Sequence, residues 1–327
     1  MALIQNIYLP TLVGTTADDL FDAKSSGIDQ TLIGGLGNDV YLVNGQREFA
    51  IVENAGEGTD TVIIDGVAVS DFPYRLAANV ENLVVRVSGD GSEYQGNGLA
   101  NVITMADSVA TGTDNFLDGG LGNDTLAGGF GDDTYCGDSA SDVVNENAGG
   151  GFDVIVSTAP TYTMSANVEA LTLAGSGNIN GVGNALDNDL VGNTGNNSLD
   201  GGAGNDRISG DAGNDTLLGN TGDDWLDGGA GNDNLQGGAG NDSYLVNSAG
   251  DVVAENAASG QDTVILADAL TSYTLAANVE DLYLADPDGA PTGKTGIGNG
   301  LDNMIMGTEH ADSIDGGAGN DVIHGAG

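Results

Sequence analysis

Nine-residue periodicity restricts this chain more than any other property it has. Read from Gly183, the sequence steps through GNALDNDLV, GNTGNNSLD, GGAGNDRIS, GDAGNDTLL, GNTGDDWLD, GGAGNDNLQ and GGAGNDSYL without an insertion, ending at Leu245. The same block returns as GGLGNDVYL from Gly34, as GGLGNDTLA and GGFGDDTYC from Gly119, and as GNGLDNMIM, GTEHADSID and GGAGNDVIH from Gly298. Position eight is apolar in every copy, from Tyr41 and Leu126 through Leu190, Leu226 and Tyr244 to Ile323, and position six is always Asp or Asn. A disordered glycine-rich linker would hold neither register.

One step has simple physics. Glycines at positions one, two and four permit backbone angles closed to other residues and so a tight turn. The last three residues extend as a short strand whose position-eight side chain points inward while its neighbours point out. A three-residue strand has no stability alone. Two turns and two strands make an 18-residue rung, and stacked rungs bury a continuous ladder. The expected class is all-β, a parallel β-solenoid.

The charge balance supplies the next constraint. Of 327 residues 49 are acidic and 6 basic, for a formal net charge of −43. Such a surface repels phosphate backbones and anionic lipid, which excludes nucleic acid as a partner, and it repels itself, so compaction requires cations. No apolar run approaches the ~20 residues of a membrane span, and Met1 to Thr16 lacks the basic segment and apolar stretch of a Sec signal. The single cysteine, Cys136, allows no internal disulfide and reads as a small buried residue.

The unit GGAGNDxUx, with U a large apolar residue, occurs at Gly201, Gly228, Gly237 and Gly316, with near-matches around each. It resembles the repeat of the repeats-in-toxin (RTX) family of secreted bacterial proteins, and the resemblance covers residues 31–327. It implies a right-handed parallel β-roll with several calcium ions in its turns, type I secretion to the cell surface or medium, and folding only outside the cell. Residues 1–30 would be a lead-in or cap. Residues 31–327 would form one continuous roll of three super-repeats and a partial fourth.

Calcium takes six to eight oxygens, and carboxylates and turn carbonyls supply them. The resemblance implies that position-six aspartates of same-side turns share an ion, together with carbonyls of the glycine positions. The candidate carboxylate ligands are Asp39, Asp124, Asp133, Asp142, Asp206, Asp215, Asp224, Asp233, Asp242, Asp251, Asp312 and Asp321. The candidate turn glycines are Gly202, Gly204, Gly229, Gly231, Gly238, Gly240, Gly317 and Gly319. An isolated Asp would be read as a solvated turn residue; the nine-residue register favours ligation. Asn188 and Asn197 lack the charge, so sites using them are expected to be weaker. Position-five residues such as Asn205 and Asp223 are expected to face solvent. Ligation would also hold the carboxylates below their free value, so acid should remove that contribution.

Three longer segments interrupt the nonapeptides and resemble one another: IVENAGEGTDTVII with YRLAANVENLVV, VVNENAGGGFDVIV with YTMSANVEALTL, and VVAENAASGQDTVIL with YTLAANVEDLYL. Their β-branched runs read as strands, either as wider rungs of the solenoid or as lobes looped out of it. Asp142, 18 residues after Asp124, and Asp251, 18 after Asp233, should stack on the preceding rung. The recurring Glu81, Glu169 and Glu280 read as charged residues at rung corners rather than ligands.

No zinc-protease, nucleophile-elbow or phosphate-loop motif occurs, and His310 and His324 stand apart. The acids follow the turn register, which explains them without catalysis. Position three carries no uniform row of Thr or Asn, which disfavours ice binding. The expected function is a non-catalytic, secreted, calcium-dependent structural or adhesive module, with cell-surface polysaccharide or further copies of itself as partners. The alternative is the accessory region of a secreted polysaccharide-active enzyme, of the kind alginate epimerases or lyases carry. The sequence stops in mid-repeat, so a longer parent protein is expected.

Overall fold

The computed structural model describes residues 1–6, 8–24, 29–44, 49–65, 73–86, 91–106, 112–257, 259–267, 269–285 and 293–325. All regular structure among them is β, in strands of two to six residues joined in parallel. The protein is a parallel β-solenoid. It divides into two compact units, Met1–Ala159 with Ser165–Val168, and Pro160–Met164 with Glu169–Gly327.

The second unit holds the uninterrupted nonapeptides, and there the register is read most directly. Asp189–Val191, Arg207–Ser209, Trp225–Asp227 and Ser243–Val246 pair side by side, with Leu190, Ile208, Leu226 and Tyr244 aligned. The alternate half-coils form a second row, Ser198–Ala203, Thr216–Thr221, Asn234–Ala239 and Val252–Val253, with Leu199, Leu217, Leu235 and Val253 aligned. Each partner lies 18 residues on, and each aligned residue occupies position eight. All but Val253 are wholly buried. Only the central side chain of each short strand points inward, so one apolar residue per nonapeptide is what the coil requires. Burial of a Leu contributes about 1.5–3 kcal/mol, which is small against the cost of ordering nine residues, so a coil depends on its neighbours.

The longer segments are coils of the same sheets. Thr263–Leu266 lies between Ser243–Val246 and Asp281–Leu284, with Tyr244, Val264 and Leu282 in line. In the first unit Val40–Val43, Thr61–Ile64, Asn82–Val85 and Val102–Met105 align Tyr41, Val62, Leu83 and Ile103. The turn before each NVE strand carries an asparagine in the left-handed region, Asn79, Asn167 and Asn278, at φ 63°, 65° and 65°. Asparagine tolerates that region better than other residues with a side chain. Each of the three also donates its amide to the carbonyl of a glutamate in the preceding coil, Glu53, Glu146 and Glu255.

Candidate metal centre

The position-six side chains form a ladder along each edge of the roll. Asp206 N–H donates to Asp224 Oδ1 and Asp224 N–H to Asp242 Oδ1, both at 2.8 Å. On the other side Asp215 N–H donates to Asp233 Oδ1 at 2.8 Å, and Asp233 N–H to Asp251 Oδ1 at 3.1 Å. In the first unit Asp39 N–H donates to Asp60 and Asp124 N–H to Asp142. Asp142 and Asp251 thus stack on the preceding rungs. One oxygen of each aspartate is committed to this ladder, and the fate of the other divides the turns into two kinds.

In open turns that other oxygen is stranded. Oδ2 of Asp39, Asp124, Asp133, Asp206, Asp215, Asp224, Asp233 and Asp242 is buried without a hydrogen-bond partner, and each of these residues is at most 2% exposed. Every one of these turns has a left-handed residue at position two: Gly35, Gly120, Gly129, Gly202, Asp211, Asn220, Gly229 and Gly238. That φ turns the position-two N–H away from the carboxylate. In Gly120 and Gly229 it donates outward to Asp118 and Asp227, the preceding position-nine aspartates.

In closed turns position two is not left-handed, and its N–H donates to the position-six side chain four residues on. Such bonds run from Thr15 to Asp19, Asn97 to Asn101, Asp138 to Asp142, Asn184 to Asn188, Asn193 to Asn197, Asn247 to Asp251, Asn299 to Asn303 and Thr308 to Asp312. Where the side chain is Asn, its Nδ2 also donates to the coil behind, as Asn197 does to the Ile179 carbonyl at 2.7 Å and Asn303 to the Glu280 carbonyl at 3.0 Å. The amide bonds to both coils, whereas each open-turn aspartate keeps one oxygen without a donor. Asp142, Asp251 and Asp312 likewise have both oxygens occupied by donors.

Position one needs glycine for a different reason from the one its sequence suggests. It has no left-handed φ; rather, a Cβ there would collide with the position-six carboxylate, as at Gly201, Gly219 and Gly237. At Gly219 the same space also meets the Gly237 carbonyl of the next same-side turn, 2.7 Å from the missing Cβ. Position four packs against the turn behind: a Cβ on Gly222, Gly231 or Gly240 would strike the carbonyl of Gly204, Gly213 or Gly222. Of the candidate glycines, Gly202, Gly204, Gly229, Gly238, Gly240, Gly317 and Gly319 are left-handed, and Gly231 is not. Stranded buried carboxylate oxygens facing carbonyls, in a cradle free of side chains, fit a hard cation with oxygen ligands. Asp321 keeps the ladder bond and the left-handed position two, with Asn303 N–H 3.0 Å from its Oδ1 and Gly317 left-handed, but it is only half-buried.

Position five is exposed, as expected, but not idle. Asn205 Oδ1 accepts the Asp223 N–H, and Asp223 Oδ1 accepts the Asn241 N–H, an outer ladder running opposite to the inner one. Glu81 and Glu280 are not plain corner charges either. They accept the N–H of Asp60 and Asp262, taking the place of a position-six aspartate.

Three further carboxylate groups draw on residues outside the nonapeptides: Asp39 with Glu53 and Asp60, Asp133 with Glu146 and Asp153, and Asp242 with Glu255 and Asp262. In each, ligand atoms of all three residues lie within 4.8 Å of one another. Tyr41, Tyr135 and Tyr244 donate to the three glutamates. The ENA and GxD strings that recur in each long segment were the available signal for them.

Burial governs the electrostatics. It pushes Asp206 and Asp215 up to about 6 and Asp224 and Asp242 up to about 7, with neighbouring carboxylates adding to the rise and the ladder N–H bonds opposing it. Glu53 rises to about 7 and Glu146 to about 8, again chiefly by burial. In the unfolded chain an aspartate titrates near 3.9. A folded-state value above that means the carboxyls favour the metal-free fold fully below about pH 4, and that contribution is lost as pH rises through about 6 to 7. Calcium-stripped protein should therefore gain β circular dichroism as pH falls from about 7.5 to about 5. Bound calcium reverses the sign by favouring the ionised form. A metal-free signal that stayed flat over that window would contradict the burial argument.

The sequence description of the RTX calcium-binding nonapeptide repeat matches residues 109–144, 182–217, 209–244, 218–253 and 297–327. A stretch of 102 residues is 41% identical to the endo-1,3-1,4-beta-glycanase ExsH of Rhizobium meliloti, covering 31% of this chain and 20% of that protein. The matched stretch is thus a fifth of the relative's length.

Proposed function

We propose, from the premise that the chain carries RTX calcium-binding nonapeptide repeats, that it acts as a secreted, non-catalytic β-roll module. It takes up calcium outside the cell, becomes rigid on doing so, and serves there as structural or adhesive material. The observation that carries this reading is the set of eight buried Oδ2 atoms, on position-six aspartates of the open turns, without a partner. The aspartates of the open turns, Asp39, Asp124, Asp133, Asp206, Asp215, Asp224, Asp233 and Asp242, and also Asp321, would hold the ions together with turn carbonyls. Asp142, Asp251 and Asp312 would instead fix the closed turns, contributing at most through the oxygen that faces the ladder. The roll's net charge of −43 suits a calcium-rich exterior, where bridging ions can also join one acidic surface to another.

The likeness of one stretch to part of a glycanase favours a second reading, an accessory region that holds a polysaccharide-active enzyme near its substrate. Calorimetric calcium titration, light scattering with and without calcium, and calcium-dependent pull-down on acidic and neutral polysaccharides separate the two. Calcium uptake with self-association supports the structural reading, and uptake with saturable glycan binding supports the accessory one. Failure to take up calcium would defeat both, and depolymerisation of a glycan by the chain alone would overturn the non-catalytic assignment.

A further inference from the structure

The three Asp–Glu–Asp groups fall where a run of open turns meets a longer coil. In a regular pair of turns the position-one glycine faces the carbonyl of the next position-one glycine, as Gly219 faces Gly237. After Gly34 the next coil has no such glycine. A glutamate reaches back in its place, and a Cβ on Gly34 would collide with Glu53 Oε1, Tyr41 Oη and Asp39 Oδ2 together. Gly128 and Gly237 are crowded in the same way by Asp133 with Tyr135 and by Asp242 with Tyr244. A carboxylate has replaced a carbonyl at an otherwise similar position.

Acidic residues can cluster without binding anything, but these groups carry a second mark. Asp39 is 0% and Glu53 6% exposed, and Oδ2 of the first and Oε2 of the second have no partner. Asp133 Oδ2 and Asp242 Oδ2 are stranded likewise, at 1% and 0% exposure. The tyrosine hydroxyl spends its proton on the glutamate, which orients that carboxylate and leaves the aspartate oxygens unserved. Lys24 and Arg86, two of the chain's six bases, both pair with Asp65.

We propose that the Asp–Glu–Asp groups are a second class of calcium site, one closing each run of open turns, and that they bind more tightly than the carbonyl-rich sites between nonapeptides. Three carboxylates bring a formal charge of −3 to one point, and ligand charge is what tunes calcium affinity in flexible oxygen sites. The inference rests on the roll binding calcium at all, and the test separates the two.

Each site has a tyrosine hydrogen-bonded to a ligand, so terbium(III) bound there should emit strongly when excited through tyrosine. The full chain should show a tight class of three ions with that emission, displaced by calcium. The variant Glu53→Gln/Glu146→Gln/Glu255→Gln should lose the tight class and most of the emission, yet reach the wild-type β signal at saturating calcium. Should the triple variant not fold, each single variant should lose one tight ion and keep two. No calcium uptake by wild type would defeat the β-roll reading itself. Uptake without a three-ion tight class, or a tight class and emission indifferent to the glutamine changes, would overturn this inference alone.

Discussion

Stripped of calcium at neutral pH, the chain should lose most of its β circular dichroism and expand, and calcium should restore both in a cooperative step. Among the described residues the fold buries the Oδ2 atoms of eight open-turn aspartates, and Asp19 Oδ1 and Glu53 Oε2 besides, with nothing to meet them. An ionised carboxylate taken from water without a partner costs several kcal/mol, so the set together exceeds the ~5–15 kcal/mol by which folded domains are stable. The apolar ladder cannot compensate, because each nonapeptide contributes one inward side chain. Scattering should show a radius of gyration rising toward roughly 60 Å, as for an unfolded chain of this length. The calcium midpoint should lie on the order of 10⁻⁴–10⁻³ M, as for extracellular modules. A chelated sample at neutral pH that kept its full β signal would show that the stranded oxygens are served some other way.

Asp224→Ala should raise the calcium needed for folding far more than Asp321→Ala. Asp224 is hydrogen-bonded through the ladder to Asp206 on one side and Asp242 on the other, all in open turns. Its loss disturbs the spaces on both sides. Asp321 has the closed, neutral turn of Asn303 behind it rather than an open aspartate turn. Breaking a buried ionic site by removing one partner costs on the order of 3–5 kcal/mol, which even when shared among several ions moves the midpoint roughly two- to tenfold. A fault inside the run of open turns also uncouples the coils on either side of it. Asp224→Asn should fall between wild type and Ala, since an amide oxygen can ligate but brings no charge. Calcium titrations of the three variants by circular dichroism check this, and equal midpoints for the two alanine variants would rule out shared spaces.

The parts of this structure that depend on nine-residue spacing were legible in the sequence. Position eight had to point inward and position six had to recur at one edge, because strand alternation and an 18-residue coil leave no other arrangement. The state of each turn was not legible. GNTGNNSLD and GNTGDDWLD begin with the same four residues, yet Asn193 donates its N–H to Asn197 while Asn220 is left-handed at φ 75° and its turn stays open. Between these two blocks position six changes from Asn to Asp, although Asp19, Asp142, Asp251 and Asp312 show that an aspartate can also sit in a closed turn. An amide there can accept from its own turn and donate to the coil behind, a balance no carboxylate can strike. The glutamates of the ENA strings escaped for another reason. They meet tyrosines 11 or 12 residues away across coils of 20 or 21 residues, so the nine-residue register that exposed the other ligands passes over them.

The closed turns have a consequence for how such a molecule can change length. In chain order each stretch opens on neutral or self-bonded turns, those of Asp19, Asn101, and Asn188 with Asn197. Each then proceeds through open turns to an Asp–Glu–Asp group at Asp39, Asp133 or Asp242. A cut made at one closed turn and rejoined at the next removes or adds a whole cassette while leaving no carboxylate without its neighbour. A cut inside a run of open turns would strand one. Recombination between gene segments should therefore be tolerated at the asparagine joints and rejected between them, so that the molecule is free to lengthen or shorten by whole cassettes, as a chain does by links.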